Sequence, residues 1–265
     1  MSSPETYKVY AIKYAHHDRP ARENFIGGDP HDTNMPLDYF VWAIVGESRT
    51  FLVDTGFDAA VGARRHRQIT RPVEDGLKAL GIHPETVEDV IITHMHYDHA
   101  GNSGLFPRAR YHIQDREMAY CTGRCMCHGA LNHPYDAADV QSMVGRVFEK
   151  RVEFHDGTTH LTPGLSLHLV GGHTNGLQIA RVHTARGWLV LASDASHLYA
   201  NIEQDRPFPA VYNVGDMIEG YRTVYQLADS PLHVIPGHDP AVLTRFPAHS
   251  AETRDWIVRL DGEPQ

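Results

Sequence analysis

Lysine and cysteine are the scarce residues of this chain. Only four of its 24 basic residues are lysines (Lys8, Lys13, Lys78 and Lys150), acidic residues number 33, and the formal net charge is -9. An acidic chain without a basic patch argues against general nucleic-acid binding, which needs cationic side chains to replace phosphate counterions. The three cysteines, Cys121, Cys125 and Cys127, fall in one short cluster. An odd number so placed is no disulfide framework, and reduced thiols in a cytoplasmic protein are expected. The run Cys121, Cys125, Cys127, His128 offers soft ligands. Its Cys-x-Cys spacing is awkward for a closed tetrahedral zinc site, so a loop with small thiols is the better reading. No run of about 18 apolar residues exists, which excludes a membrane-spanning helix. The opening MSSPETYKVYAIKY lacks a charged start followed by an apolar core, so no secretory leader is expected.

What the chain has in excess is histidine, 20 residues, as many as its arginines. Otherwise the composition is that of an ordinary globular protein, 42% hydrophobic and 22% charged. Its 265 residues are enough to bury a sizeable core. Runs rich in β-branched and aromatic residues predict strands at 7–14, 39–45, 50–54, 90–92 and 109–113. Further strands are expected at 151–154, 165–170, 176–183, 187–193 and 232–235. Pro72 opens a helix carried by Val73, Leu77 and Leu80 and closed by Gly81. Helical spacing recurs at 136–148 and near 216–229, and 249–260 reads as a last helix. There are no repeats or linkers, so 1–265 is expected to form a single α/β domain with two sheets packed between helices. The polar stretch 15–38 is long for an idle connection and is expected to be a substrate loop. Within it Arg19, Arg22, Asn24 and Phe25 are candidate contacts.

Histidine placement carries the chemistry. The segment Thr93-His94-Met95-His96-Tyr97-Asp98-His99 follows a short apolar strand. In an extended chain His94 and His96 point to one side and can grip one ion, and after a turn Asp98 and His99 can face a second. Neutral imidazoles with a carboxylate are what zinc prefers in catalytic sites. Three further segments repeat the logic: His173 in Gly171-Gly172-His173-Thr174, Asp194 after an apolar strand ending at Ser193, and His238 in Pro236-Gly237-His238-Asp239. Each ends an apolar strand among small or turn residues, where a scaffold can hold a metal.

In order and spacing these segments resemble the metallo-β-lactamase superfamily, whose pattern is HxHxDH, then His, Asp and His. Asp54-Thr55-Gly56 matches that family's DTG turn. The resemblance implies an αββα four-layer sandwich and a dinuclear site, two Zn2+ per chain with other divalent metals open. It assigns His94, His96 and His173 to one metal, Asp98, His99 and His238 to the other, and Asp194 as the bridge. It also implies hydrolysis by a metal-activated hydroxide, with Asp98 as proton shuttle. Within the superfamily the chain is similar to the N-acyl homoserine lactonase group in length and in its Gly237-His238-Asp239 ending. The expected function is therefore opening of a small lactone or related cyclic ester. A glyoxalase II-like thioester hydrolase or a cyclic amide hydrolase are the alternatives, and a non-enzymatic metal-binding protein is the third. One departure stands out: His197 occupies the position where lactonases of this kind carry a carbonyl-polarising tyrosine. Whether it donates a similar hydrogen bond or is structural stays open. Phe57, Phe208 and Tyr212 could supply apolar walls, and 121–128 could lie over the cleft. The expected partner is a small-molecule substrate, with no nucleic acid or membrane, and the chain could pair as a homodimer.

Overall fold

The structure, a computed structural model, describes residues 4–31 and 33–265. The first half of the chain lays down β1 (Lys8–His17), β2 (Leu37–Val45), β3 (Thr50–Val53), a two-residue β4 (Gln68–Ile69), β5 (Asp89–Ile91), β6 (Arg110–Gln114) and β7 (Val152–His155). The second half gives β8 (Thr158–Thr162), β9 (Leu165–Leu169), β10 (Gln178–Thr184), β11 (Gly187–Ser193) and β12 (Val234–Pro236). The final strand, β13 (Ile257–Arg259), returns to the first sheet. That sheet runs β13-β1-β2-β3-β5-β6-β7, with β4 on β1, and the second runs β12-β11-β10-β9-β8.

Alternation along the strands explains why the two sheets stack. In β2, Tyr39, Val41 and Ala43 enter one core, while Phe40, Trp42 and Ile44 enter another. In β11, Leu189 and Leu191 join that second core, while Val190 and Ala192 face a third. Successive side chains point to opposite faces, so strands apolar at every position must be covered on both sides. The middle core lies between the sheets, where Phe40, Trp42 and Phe51 meet Leu165, Leu167 and Leu189. Outside the first sheet, α1 (Ala59–Arg64), α2 (Val73–Ala79), α3 (Tyr97–Ala100), α4 (Asp115–Cys121), α5 (Gly129–Asn132) and α6 (Ala137–Phe148) form one layer. Outside the second sheet lie α7 (Tyr199–Glu203) and α8 (Val214–Leu227), whose Ile202, Met217, Tyr221 and Val224 fill the third core. A short α9 (Ala241–Arg245) adds Val242 to the middle core. The result is the αββα sandwich.

One expectation is overturned. Residues 249–260 are not a helix: the chain turns through 249–256, and β13 pairs antiparallel with β1, Ile12 opposite Ile257 and Tyr10 opposite Arg259. Ile257 enters the helix-side core and Val258 the inter-sheet core, a division of neighbours that only a strand permits. The Thr-rich β8 was not expected as a strand. The stretch read as a loop at 15–38 is shorter, because β1 extends to His17 and β2 starts at Leu37; its Asp32 lies outside the described residues. Among the described residues no helix is long and apolar enough to cross a membrane.

Candidate metal centre

The predicted ligands come from four connections at the C-terminal ends of strands. His94, His96, Asp98 and His99 follow β5, the last two inside α3. His173 follows β9, Asp194 follows β11, and His238 follows β12. Two backbones must approach closely for this to happen. A Cβ on Gly237 would sit 2.6 Å from Asp194 Oδ1, and one on Gly172, itself at φ +84°, would sit 2.6 Å from the Met217 backbone. Only glycine fits either position.

The seven side chains are all buried and form two groups, His94, His96, His173 and Asp194 on one side, and Asp98, His99 and His238 on the other. Asp194 divides its oxygens between them. Its Oδ2 lies 3.2 Å from His173 Nε2 and 3.8 Å from His94 Nε2, while its Oδ1 lies 3.4 Å from His99 Nε2 and 3.1 Å from His238 Nε2. Asp98 Oδ2 is 3.6 Å from His99 Nε2 and 3.7 Å from His238 Nε2.

The opposite ring nitrogens are engaged. His99 Nδ1 donates to Asp54 Oδ2 at 2.7 Å, His173 Nδ1 to the Ala210 carbonyl at 2.6 Å, and His238 Nδ1 to the Asp38 carbonyl at 2.9 Å. These acceptors assign the tautomer and leave each Nε2 lone pair facing inward. Asp54, at φ +61°, also accepts from the backbone N–H and hydroxyl of Thr93, next to His94.

A metal fits this donor set. His94 Nε2, His99 Nε2 and Asp194 Oδ1 are buried and make no hydrogen bond among the described residues. Facing ring nitrogens of His96 and His173 stand only 2.9 Å apart. Buried polar atoms left unsatisfied are costly, and a cation in each group would satisfy them. Burial holds His94 and His96 well below the usual imidazole range, in the neutral form that ligates. Burial opposes protonation at His99 too, yet Asp194, Asp54 and Asp98 hold it well above its ordinary value. That clustering of carboxylates marks a place for positive charge. The residues therefore imply a divalent metal site.

The site opens into a cleft of about 200 Å³ lined by Asp98, Asp194, His197 and His238. His197 Nε2 lies 3.0 Å from Asp194 Oδ2, and its ring stacks on Phe208 at 3.4 Å. Burial pushes His197 down to about 3 although Asp194 pulls the other way. Of the loop candidates, Arg19 lines the cleft and Arg22 does not. Asn24 and Phe25 are buried in loop packing, the latter beneath Arg206. Phe57 belongs to the helix-side core, and Tyr212 is exposed against Tyr120. The thiols are free; Cys121 lines a neighbouring cavity of about 490 Å³ rather than the cleft. A third opening of about 320 Å³, lined by Arg49, Asp89, Arg108 and Lys150, lies where β5 and β6 begin and contains none of the metal-donor groups.

Sequence reasoning missed His17, Arg65, Arg67 and Tyr39 in the cleft lining. It also missed Glu117, a buried carboxylate on α4. Glu117 accepts from Met95 N, Tyr135 Oη, Thr174 Oγ1 and Gly176 N. The signal for the arginines was present in Arg64-Arg65-His66-Arg67, the densest basic run of an acidic chain.

Comparison with known proteins agrees with this geometry. The family described as the metallo-beta-lactamase superfamily matches residues 35–252. An N-acyl homoserine lactonase of Bacillus cereus is 30% identical over 139 residues, 50% of this chain and 48% of that protein. One from Agrobacterium fabrum is 30% identical over 179 residues, 62% of this chain and 60% of that protein. The chain thus spans about half to three fifths of these relatives' lengths. A solved quorum-quenching N-acyl homoserine lactone lactonase superposes with a TM-score of 0.73 at 22% identity, covering 90% of this chain and 94% of that one. A dizinc quorum-quenching lactonase gives 0.67 at 16% identity, covering 89% and 92%. At such identities the likeness is one of fold.

Proposed function

Since the chain belongs to the metallo-beta-lactamase superfamily, we propose that it is a metal-dependent hydrolase that opens a small lactone or related cyclic ester. The observation that carries this reading is the division of Asp194 between two groups of inward-facing donors, with buried atoms on both sides left without hydrogen bonds. His94, His96 and His173 would hold one ion, Asp98, His99 and His238 the other, and Asp194 both. Zinc suits imidazole nitrogen and carboxylate oxygen, so two Zn2+ per chain is the loading we infer. When bound, the ions supply an activated water as nucleophile and polarise the ester carbonyl.

The chain's own residues do the rest. Asp98 lines the cleft beside His99 and His238, where its Oδ2 can take a proton from the attacking water and pass it to the departing ring oxygen. His197 stays neutral and donates from Nε2 to Asp194 Oδ2, which orients the shared carboxylate. With that atom engaged, the ring faces the cleft as a wall backed by Phe208. The lactone class is carried over from the relatives named N-acyl homoserine lactonases. The homoserine ring is not, because His197 replaces the tyrosine expected there.

Metal content and proton release against a panel of lactones, esters, thioesters and cyclic amides test the reading. Lactone turnover should require close to stoichiometric zinc and vanish in Asp194→Ala. Turnover that survives complete metal removal would overturn it, and thioesters outrunning lactones would move the function to the glyoxalase II type.

A further inference from the structure

Three guanidinium groups surround the mouth of the cleft. Arg19, Arg65 and Arg67 line the same opening as Asp98, Asp194 and His238. Arg67 is fixed by its Nε donating to Tyr97 Oη at 3.2 Å and its Nη1 donating to the Arg65 carbonyl at 2.8 Å. Arg65 donates to the carbonyls of His133 and Tyr135 and lies 4.1 Å over the Tyr97 ring. Among the described residues, neither Arg65 nor Arg67 has a carboxylate within ion-pairing distance. Only Arg19 does, reaching Glu23 at 3.6 Å, and its Nε is buried without a hydrogen bond. The positive charge is felt nearby: burial, then Arg67 and Arg19, push His17 down to about 4.

Cations held in a confined cleft without counterions are costly, and a ligand that brings the anion removes the cost. A rigid guanidinium fork matches a planar carboxylate through paired hydrogen bonds. Of the acidic residues lining the cleft, Glu23 pairs with Arg19 and Asp98 favours the charge of Arg67 from a distance, but neither forms an ion pair with Arg67, and Asp98 Oδ2 faces His99 and His238. A cleft of about 200 Å³ suits a compact substrate rather than one with a long acyl tail.

We propose that the cleft selects a lactone carrying a second, unreactive carboxylate, held by Arg67 with Arg19 beside it while the ester lies over the metal donors. This inference rests on the hydrolase reading and names its substrate class. One water is consumed: its oxygen bonds to the acyl carbon, the ring C–O bond breaks, one of the water's protons goes to the ring oxygen, and the other is released to solvent as the new carboxyl ionises. The product is a hydroxy-dicarboxylate.

The test uses the full-length, zinc-loaded protein and two matched substrates, a γ-butyrolactone bearing a ring carboxylate and the same lactone bearing a carboxamide. The carboxylate form should be favoured about tenfold or more in kcat/KM, chiefly through KM, as loss of a charged hydrogen-bonded partner predicts. The preference should collapse in Arg67→Gln and weaken in Arg19→Gln, with Arg67→Lys keeping more of it than Arg67→Gln. Melting temperature and zinc content report whether each variant folds, and Arg19→Gln decides if the Arg67 variants do not. Equal kcat/KM for the two lactones would overturn the proposal. So would a preference unchanged in the folded variants. Dissociation constants for glutarate and its monoamide provide an arm independent of turnover. If neither lactone is hydrolysed, the hydrolase reading is left to the wider substrate panel and the anion site is judged by binding. Glutarate bound tighter than the monoamide, with the difference lost on substituting Arg67, still upholds the anion site, and equal binding sinks it.

Discussion

At the scale of single residues, His99, His173 and His238 are set by what the outer ring nitrogen touches. Asp54 is the clearest case. Its carboxylate joins His99 Nδ1 to the hydroxyl and backbone N–H of Thr93, so it orients one histidine and anchors the turn that carries another. Such outer partners hold ring orientation and raise ligand basicity, and losing one weakens metal binding by about 10- to 100-fold. Asp54→Ala should therefore lower zinc affinity at the Asp98, His99 and His238 group by that factor, as measured against a chromophoric chelator. Affinity equal to that of the unaltered protein would show that Asp54 only shapes the turn. That the seven candidate ligands would come together was legible because small, turn-forming neighbours flank each one and apolar strands precede them. Asp54 was legible only through the DTG resemblance, and Glu117 not at all, since a lone glutamate opening a helix looks like any first-turn acid. Arg65 and Arg67 were hidden for another reason. Their reach into the cleft depends on where the chain goes after α1, which local pattern does not encode.

At the scale of elements, the two loops that carry His94, His96 and His173 are tied together by α4. Glu117 takes the Met95 N–H from one loop and Thr174 Oγ1 and Gly176 N–H from the other, and Tyr135 completes the set. Burial raises this carboxyl, while the four donors pull it down. Removing the acceptor strands several buried donors at about 1–3 kcal/mol each. Glu117→Ala should then cost about 3 kcal/mol or more, lowering the melting temperature of a domain this size by about 6–12 °C. Calorimetry on the zinc-loaded protein checks the value, and a shift under about 2 °C would mean the loops hold without the tie. Legibility at this scale follows burial. Strands covered on both faces, such as β2 and β11, read as unbroken apolar runs, and α2 and α6 read from their spacing. The Thr-rich β8 has no such run. Residues 249–260 mislead because Trp256, Ile257, Val258 and Leu260 fit a helical stripe as well as a strand. The edge of β1, far away in sequence, decides between them.

At the scale of the whole molecule, the sandwich gathers C-terminal strand ends from both sheets into one place, and the histidine excess divides accordingly. Five histidines belong to the two candidate donor groups and His197 stands beside them, but others are spread through the sheets. His112 stacks on His155 at 5.3 Å and contacts Asp89 at 3.1 Å. His168 on β9 bonds Ser166 Oγ at 2.9 Å and Thr158 Oγ1 at 3.2 Å. Burial, then Arg181 and His160, push His168 from 6.5 down to about 4. Between those two values the unfolded chain binds a proton that the folded chain refuses. The contribution of His168 to stability is therefore complete above pH 6.5 and is lost as pH falls toward 4. His17, held down to about 4, adds in the same direction. Release of bound metal on acidification would act in the same direction, so the difference between variants is the quantity to follow. Urea unfolding of the zinc-loaded protein and of His168→Gln, compared from pH 7 to pH 4.5, should show the unaltered protein losing stability faster than the variant. The gap between them should move steadily in the variant's favour as pH falls. A gap independent of pH would mean that His168 titrates in the folded protein as it does in the unfolded chain, leaving the acid sensitivity to other groups.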